Sequence, residues 1–151
     1  MKAARFYERG KPIVVEDIEV PKLYPDEVLI RVAGCGICST EIAHVDLGAP
    51  TVKNPPIVLG HEISGTIVDK GYNVTGADKG DRVLLPVYFT CGKCPNCRTG
   101  RENLCYNMKI LGNHVDGGFA EYTKAPAKDV FVLPPDIPLE DACIITDCVT
   151  T

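Results

Sequence analysis

The sequence predicts a mainly β domain, a barrel or sandwich of short strands that also carries two short helices. Strand-type alternation of apolar and polar residues recurs along most of the chain, and turn-forming residues separate the runs. Glycine and proline account for 14 and 12 of the 151 residues, which favours many turns and therefore short strands. A chain of this length can form one domain with its own hydrophobic core.

Seven runs along the chain are the predicted strands. In the third run, apolar side chains at every second position share one face, the pattern of a half-buried strand. Turns rich in glycine, proline and aspartate separate the runs. The predicted strands are Lys2–Tyr7, Ile13–Val20, Glu27–Gly34, Ile63–Lys70, Arg82–Tyr88, Phe119–Lys124 and Val130–Leu133.

Two stretches are predicted to be helical. The first is Ser39–Asp46, with Ser39 or Thr40 as its N-terminal cap. The second is Leu139–Thr150, which follows a proline and begins with acidic residues that suit a helix N-terminus. No glycine or other capping residue closes this second stretch before Thr151, so we expect the helix to continue beyond the given sequence.

Composition excludes several classes of function. The net charge of −4 argues against a nucleic-acid partner, which would require a basic face. The longest uncharged apolar stretch, Val83–Gly92, is too short to cross a membrane. Charged residues interrupt the N-terminus before a signal sequence could form, so we expect a cytoplasmic protein. Eight cysteines in a compartment that keeps thiols reduced favour metal binding over disulfides.

The strongest single motif is C-x2-C-x2-C-x7-C. Two successive x2 spacings bring three thiolates to one point, and the fourth completes a tetrahedral set that Zn²⁺ prefers. The intervening residues offer almost nothing to build a core, so a metal would supply the cohesion. A disulfide pair or an iron–sulfur cluster is the alternative. Four thiolates leave no open coordination position, which predicts a structural zinc site. The four residues are Cys91, Cys94, Cys97 and Cys105.

A second group of metal-binding or catalytic residue types is scattered along the chain. Each is a weak signal alone, because an isolated buried histidine is more often a core residue than a ligand. Cys35 with Cys38 could itself be a C-x2-C zinc pair. The group consists of Cys35, Cys38, His44, His61, Glu62, His114, Asp147 and Cys148.

Taken in order, these motifs resemble the N-terminal, GroES-like catalytic domain of the zinc-dependent medium-chain alcohol dehydrogenases. The resemblance covers essentially all 151 residues and implies a partly open β-barrel with short helices, from which the four-cysteine lobe at 91–105 projects. The matching motifs are G-x-C-x-[ST]-[DE] at Gly36–Glu41, G-H-E at Gly60–Glu62, G-D-R-V at Gly80–Val83, G-G-x-A-E-Y at Gly117–Tyr122 and the four cysteines.

The resemblance implies a catalytic zinc in addition to the structural one, hence two zinc ions per chain. Cys38 and His61 correspond by position to two of its ligands. The third ligand is Asp147 or Cys148, which are neighbours and on a helix would point about 100° apart. Asp147 is favoured because its offset from the following Val-Thr-Thr resembles family members with an aspartate ligand. Glu62 would approach the zinc from outside the ligand set or exchange with water.

The resemblance also implies the reaction, which is dehydrogenation of a small alcohol, or reduction of the aldehyde, with hydride transfer to NAD or NADP. Thr40 corresponds to the hydroxyl that takes the alcohol proton. Many relatives place a relay histidine where Ala43 stands here. His44 is the candidate for that relay role, but it lies one residue later, which on a helix turns its ring away by about 100°. Cys35 is expected to be a small buried thiol.

The cofactor-binding part of such an enzyme is not expected within these residues. No G-x-G-x-x-G run of a Rossmann domain occurs in the sequence. We therefore expect residues 1–151 to be the GroES-like domain of a longer protein that forms a homodimer or homotetramer. The alternative is a zinc-stabilised binding module without catalysis of its own.

Overall fold

Ten strands in three antiparallel sheets form the framework of the structure, a computed structural model that describes residues 1–150. Thr151 lies outside the described residues. The first sheet has the strand order β2 (Val14–Asp17), β1 (Lys2–Phe6), β4 (Ile57–Val58). The second sheet has the strand order β10 (Phe131–Val132), β6 (Arg82–Leu85), β5 (Ile63–Lys70), β3 (Glu27–Cys35), β9 (Tyr122–Pro126). The third sheet pairs β7 (Tyr88–Phe89) with β8 (Lys109–Ile110).

The main core lies under the five-stranded sheet. β3 is an interior strand of this sheet, and its Ile30 pairs with Ile67 on β5 and with Thr123 on β9. The predicted alternation on β3 is present, since Val28 and Ile30 are fully buried and Arg31 is exposed. Burial of such aliphatic side chains contributes about 1.5–3 kcal/mol each.

The two larger sheets are joined by backbone contacts. Ala3 on β1 forms a bridge with Ala120, and the Ala4 N–H donates to the Phe119 carbonyl at 2.7 Å. Residues 119–121 lead directly into β9. The sheets therefore curve into a partly open barrel, which confirms the predicted fold class.

The helices differ from the expectation in detail. Helix α1 spans Ser39–Ile42 and continues as a π-helical turn over Ala43–Leu47, with Cys38 at the N-cap instead of Ser39 or Thr40. The second predicted helix is wrong in type, because a 3₁₀ helix over Asp141–Thr146 takes its place. The β-branched run in that segment disfavours a regular α-helix. Within residues 1–150, no helix has the length and apolar character needed to cross a membrane.

Several short elements of the structure were not predicted from the sequence. The predicted strand Arg82–Tyr88 is divided into β6 and β7 around Pro86, which cannot donate a ladder hydrogen bond. The strand predicted at Phe119 begins only at Tyr122. The unpredicted elements are β4, β8, helix α2 (Pro95–Arg98) and 3₁₀ turns at Glu102–Leu104 and Ala127–Asp129.

Candidate metal centres

The four lobe cysteines converge on one point. One sulfur from each of Cys91, Cys94, Cys97 and Cys105 lies within 4.8 Å of the other three. Cys94 Sγ and Cys97 Sγ lie 3.4 Å apart. This distance is well beyond the S–S bond length of a disulfide. All eight cysteines are free. Four sulfurs this close together can supply the four thiolate ligands of a structural zinc site.

Backbone N–H groups point at these sulfurs. The Cys91 and Asn107 N–H groups donate to Cys105 Sγ at 3.3 and 3.4 Å. Backbone hydrogen bonds from Lys93 and Cys94 lower the pKa of Cys91 to about 6. Burial instead raises the pKa of Cys97 to about 12. Donors aimed at sulfur stabilise thiolates, the form that binds metal.

The lobe has no other core. Within residues 91–105 the only buried side chains are those of Cys94, Cys97 and Cys105, with Cys91 half-buried. Met108 packs against this group from outside the lobe. Because apolar burial is so small here, a bound ion would supply most of the free energy that holds the segment folded.

A second donor cluster forms at the end of the main sheet. One ligand atom from each of Cys38, His61, Glu62 and Asp147 lies within 4.8 Å of the other three. Cys38 follows β3, and His61 with Glu62 precedes β5, whose first residue pairs with the last residue of β3. Adjacent strands thus bring residues from two chain segments together, and the turn after the 3₁₀ helix supplies Asp147.

His61 is held between two carboxylates. Its Nδ1 lies 2.8 Å from Glu41 Oε1 and its Nε2 lies 2.9 Å from Asp147 Oδ2. Burial lowers the pKa of His61, but the hydrogen bond and charge of Glu41, with the hydrogen bonds of Asp147 and Cys38, raise it to about 9. Both ring nitrogens of His61 therefore face carboxylate oxygens.

Glu41 is the functional residue whose role the sequence reasoning missed. It is only 4% exposed, and its second oxygen accepts the Cys38 N–H at 2.9 Å. One carboxylate therefore fixes both the ring of His61 and the backbone of Cys38. The capping-box spacing, with an acidic residue three positions after the N-cap, is the sequence signal that could have identified it.

Cys148 takes a different position from its neighbour Asp147. Its sulfur is not one of the four clustered donors, and its S–H donates to Glu62 Oε1 at 3.1 Å. That hydrogen bond is the main reason why the pKa of Cys148 rises to about 11. Of the two candidate third ligands, the structure brings Asp147 to His61 and places the Cys148 thiol against Glu62.

Thr40 and Cys35, two further candidates, differ in solvent exposure near the second donor cluster. A cavity of about 250 Å³ is lined by Thr40, His44, His61 and Asp147, among others. Thr40 is exposed, and its Oγ1 lies 3.8 Å from Cys38 Sγ. Cys35 is half-buried, and burial is the main reason that its pKa is raised far above the ordinary thiol value.

His44 is buried against the turn that follows its helix. Its Nδ1 lies 2.8 Å from the Ala49 carbonyl, so this nitrogen carries a proton and donates. Among the described residues, Nε2 of His44 is the one buried side-chain nitrogen or oxygen without a hydrogen-bond partner. In the tautomer that carries its proton on Nδ1, Nε2 is an acceptor. His114, by contrast, is half-buried and accepts the Ile110 N–H through Nδ1.

Comparison with known proteins gives a consistent result. Residues 24–135 match the family described as the alcohol dehydrogenase GroES-like domain. An L-threonine 3-dehydrogenase from Caldanaerobacter subterraneus subsp. tengcongensis is 42% identical over 139 residues, 90% of this chain and 39% of the relative. An alcohol dehydrogenase from Geobacillus stearothermophilus is 41% identical over 155 residues, covering 100% of this chain and 45% of its own length.

A solved structure extends the likeness to three dimensions. The cobalt- and zinc-bound thermostable alcohol dehydrogenase from Pyrobaculum aerophilum superimposes with a TM-score of 0.88 at 32% identity, over 97% of this chain and 44% of that one. The chain thus spans less than half the length of the proteins that it matches.

Proposed function

Because the chain belongs to the family of the alcohol dehydrogenase GroES-like domain, we propose that it is the zinc-binding catalytic part of an oxidoreductase that interconverts alcohols and aldehydes. The observation that carries the proposal is the convergence of Cys38, His61 and Asp147 beside a cavity lined by Thr40. Sulfur, imidazole nitrogen and carboxylate oxygen are the donor types of catalytic zinc sites.

In this proposal the chain holds two zinc ions. Cys91, Cys94, Cys97 and Cys105 would bind the structural ion. Cys38, His61 and Asp147 would bind the catalytic ion, since Nδ1 of His61 is engaged by Glu41 and Nε2 faces Asp147. The thiolate and the carboxylate together offset the charge of a divalent cation. When bound there, zinc lowers the pKa of an alcohol and polarises a carbonyl group.

The protein's own residues would then orient the substrate and move its proton. Thr40 stands next to Cys38 on the exposed start of α1, where its hydroxyl can accept the alcohol proton and pass it on. We assign the next acceptor position to His44 because its unpartnered Nε2 is an acceptor. Glu41 contributes by keeping His61 in one ring orientation and one tautomer.

The rest of the activity belongs to a longer protein. We propose that a Rossmann domain outside the given residues binds NAD or NADP, and that residues 1–151 form the GroES-like domain of a homodimer or homotetramer. A cytoplasmic location fits two sites that depend on reduced thiols.

Zinc analysis of the intact protein with Cys38→Ala tests this function. We expect two zinc ions per chain in the unaltered protein, and one in Cys38→Ala together with loss of alcohol oxidation. Cys35→Ala is the matched control, because Cys35 belongs to neither donor cluster and should leave both zinc ions in place. A single zinc in the unaltered protein, or two in Cys38→Ala, would contradict the catalytic assignment and favour a binding module.

A further inference from the structure

Glu62 is an acidic side chain in an unusual position. It is only 1% exposed, and its carboxylate lies within 4.8 Å of the donor atoms of Cys38, His61 and Asp147. It is therefore a fourth potential ligand in a cluster that needs three protein ligands and one open position for a substrate oxygen. Some contact must keep this carboxylate off the ion.

The space around Glu62 leaves few alternatives for its carboxylate. Oε2 lies so close to Gly36 that a Cβ atom on that glycine would overlap it. The backbone is fixed too, since the Gly36 N–H donates to the Glu62 carbonyl at 2.9 Å. On the other side, the Cys148 S–H donates to Oε1 at 3.1 Å. The thiol is thus a donor that holds one oxygen of a confined, buried carboxylate.

We propose that Cys148 is a positioning residue whose hydrogen bond keeps the Glu62 carboxylate beside the catalytic metal and so preserves the open corner where substrate binds. A buried carboxylate that loses its hydrogen-bond donor has to find another partner, because leaving it unpaired is costly. A cation held by Cys38, His61 and Asp147 would be such a partner, since the Glu62 carboxylate lies within 4.8 Å of their donor atoms. Without the thiol, Glu62 therefore occupies the fourth position as a ligand and competes with the substrate oxygen.

This inference rests on the proposed function and assigns a role to a residue that would otherwise be only an alternative ligand. A ligand role would require the sulfur of Cys148 in the donor cluster. The structure instead gives that place to Asp147, whose Oδ2 lies 2.9 Å from His61 Nε2.

The test is the binding of imidazole to the cobalt-substituted intact protein, followed in the visible spectrum of Co²⁺. In Cys148→Ala we expect the imidazole dissociation constant to rise about tenfold, the scale on which partners of metal ligands act, because Glu62 fills the open corner. Cys148→Ser keeps a donor at the same place and should restore binding close to that of the unaltered protein. Val149→Ala alters the exposed neighbour and should have no effect.

The outcomes separate the inference from the function on which it rests. Equal imidazole binding in Cys148→Ala and the unaltered protein overturns the positioning role while the metal site stands. Loss of a thiolate-to-cobalt absorption band in Cys148→Ser overturns it in favour of direct ligation. Failure of the unaltered protein to take up cobalt at this cluster, with the lobe still loaded, overturns the proposed function and the inference together.

Discussion

The two donor clusters of this chain depend on the fold in opposite ways. The lobe takes all four sulfurs from residues 91–105, where no side chain other than a cysteine is buried. The mixed cluster takes its donors from three distant segments. The adjacent strands β3 and β5 bring two of them together beside fully buried Ile63, and the turn after the 3₁₀ helix adds Asp147. In the lobe a metal would organise the chain, whereas in the mixed cluster the chain organises the metal site.

The chemistry of the two clusters follows the same division. Four thiolates complete a tetrahedron and leave no place for a reactant. The mixed cluster combines sulfur, nitrogen and carboxylate oxygen next to a cavity, and an additional carboxylate, that of Glu41, orients its histidine. A site that must keep an open corner needs a rigid frame, because a vacant position contributes nothing to folding.

The largest expected effect comes from breaking the lobe with Cys97→Ser. Structural zinc contributes on the order of 10–16 kcal/mol in small zinc-binding peptides, and little else holds this segment. We expect loss of one zinc and rapid tryptic cleavage after Lys93, Arg98 or Arg101, with the barrel and the second zinc retained. Zinc analysis, limited proteolysis and circular dichroism measure these three results.

Thr99→Ala is the control for that experiment. Thr99 is exposed, and its hydroxyl donates to the Pro95 and Asn96 carbonyls within the lobe. The zinc content of the Thr99→Ala protein should therefore equal that of the unaltered protein. Unfolding of the barrel together with the lobe in Cys97→Ser would show that the two regions are not independent.

The sequence predicted the two donor clusters with unequal success, because one is local in the chain and the other depends on long-range contacts. The lobe is local, so the spacing of its cysteines alone indicated the convergence that the structure has. The mixed cluster could be assembled only through a family resemblance, because nothing in the spacing between Cys38, His61 and Asp147 encodes their proximity. The pairing of β3 with β5, which sets that proximity, is a long-range contact.

The same limit explains the errors in the fold. The alternation in β3 was sufficient because Val28 and Ile30 lie in a central strand of the main core. The segment Leu139–Thr150 was predicted to be helical from its start signals. The β-branched run within it disfavours a regular α-helix. Tertiary contacts act in the same direction, since Ala142 packs in a core cluster with Leu84 and Asp147 reaches His61.

A smaller effect is expected when the frame of the mixed cluster is altered by Glu41→Ala. His61 then loses the partner of Nδ1, and the Cys38 N–H loses its acceptor. Partners of this kind change metal affinity by about 10–100-fold. Competition with a chelator should show weaker zinc binding at this cluster only, with the lobe zinc unchanged.

Glu41→Gln is the matched variant, because its amide oxygen can still accept from the ring of His61 but no second oxygen remains for the Cys38 N–H. It should therefore recover only part of the lost affinity. Equal weakening of both zinc sites in Glu41→Ala would indicate general unfolding and contradict a role confined to the frame.

The smallest expected effect distinguishes the two regions without touching any ligand. Gly100 in the lobe and Gly76 in a barrel turn both have positive φ, +73° and +79°, and an added Cβ would meet nothing within 4 Å at either position.

Alanine therefore carries a similar intrinsic cost at both positions, about 1 kcal/mol for the left-handed conformation. In Gly76→Ala that cost reduces the stability of the barrel, which unfolds cooperatively, and should lower the melting temperature by about 2–4 °C. In Gly100→Ala it falls on a segment held by metal, so we expect an unchanged melting temperature and faster tryptic cleavage of the lobe. Equal shifts in melting temperature would mean that lobe and barrel unfold as one unit.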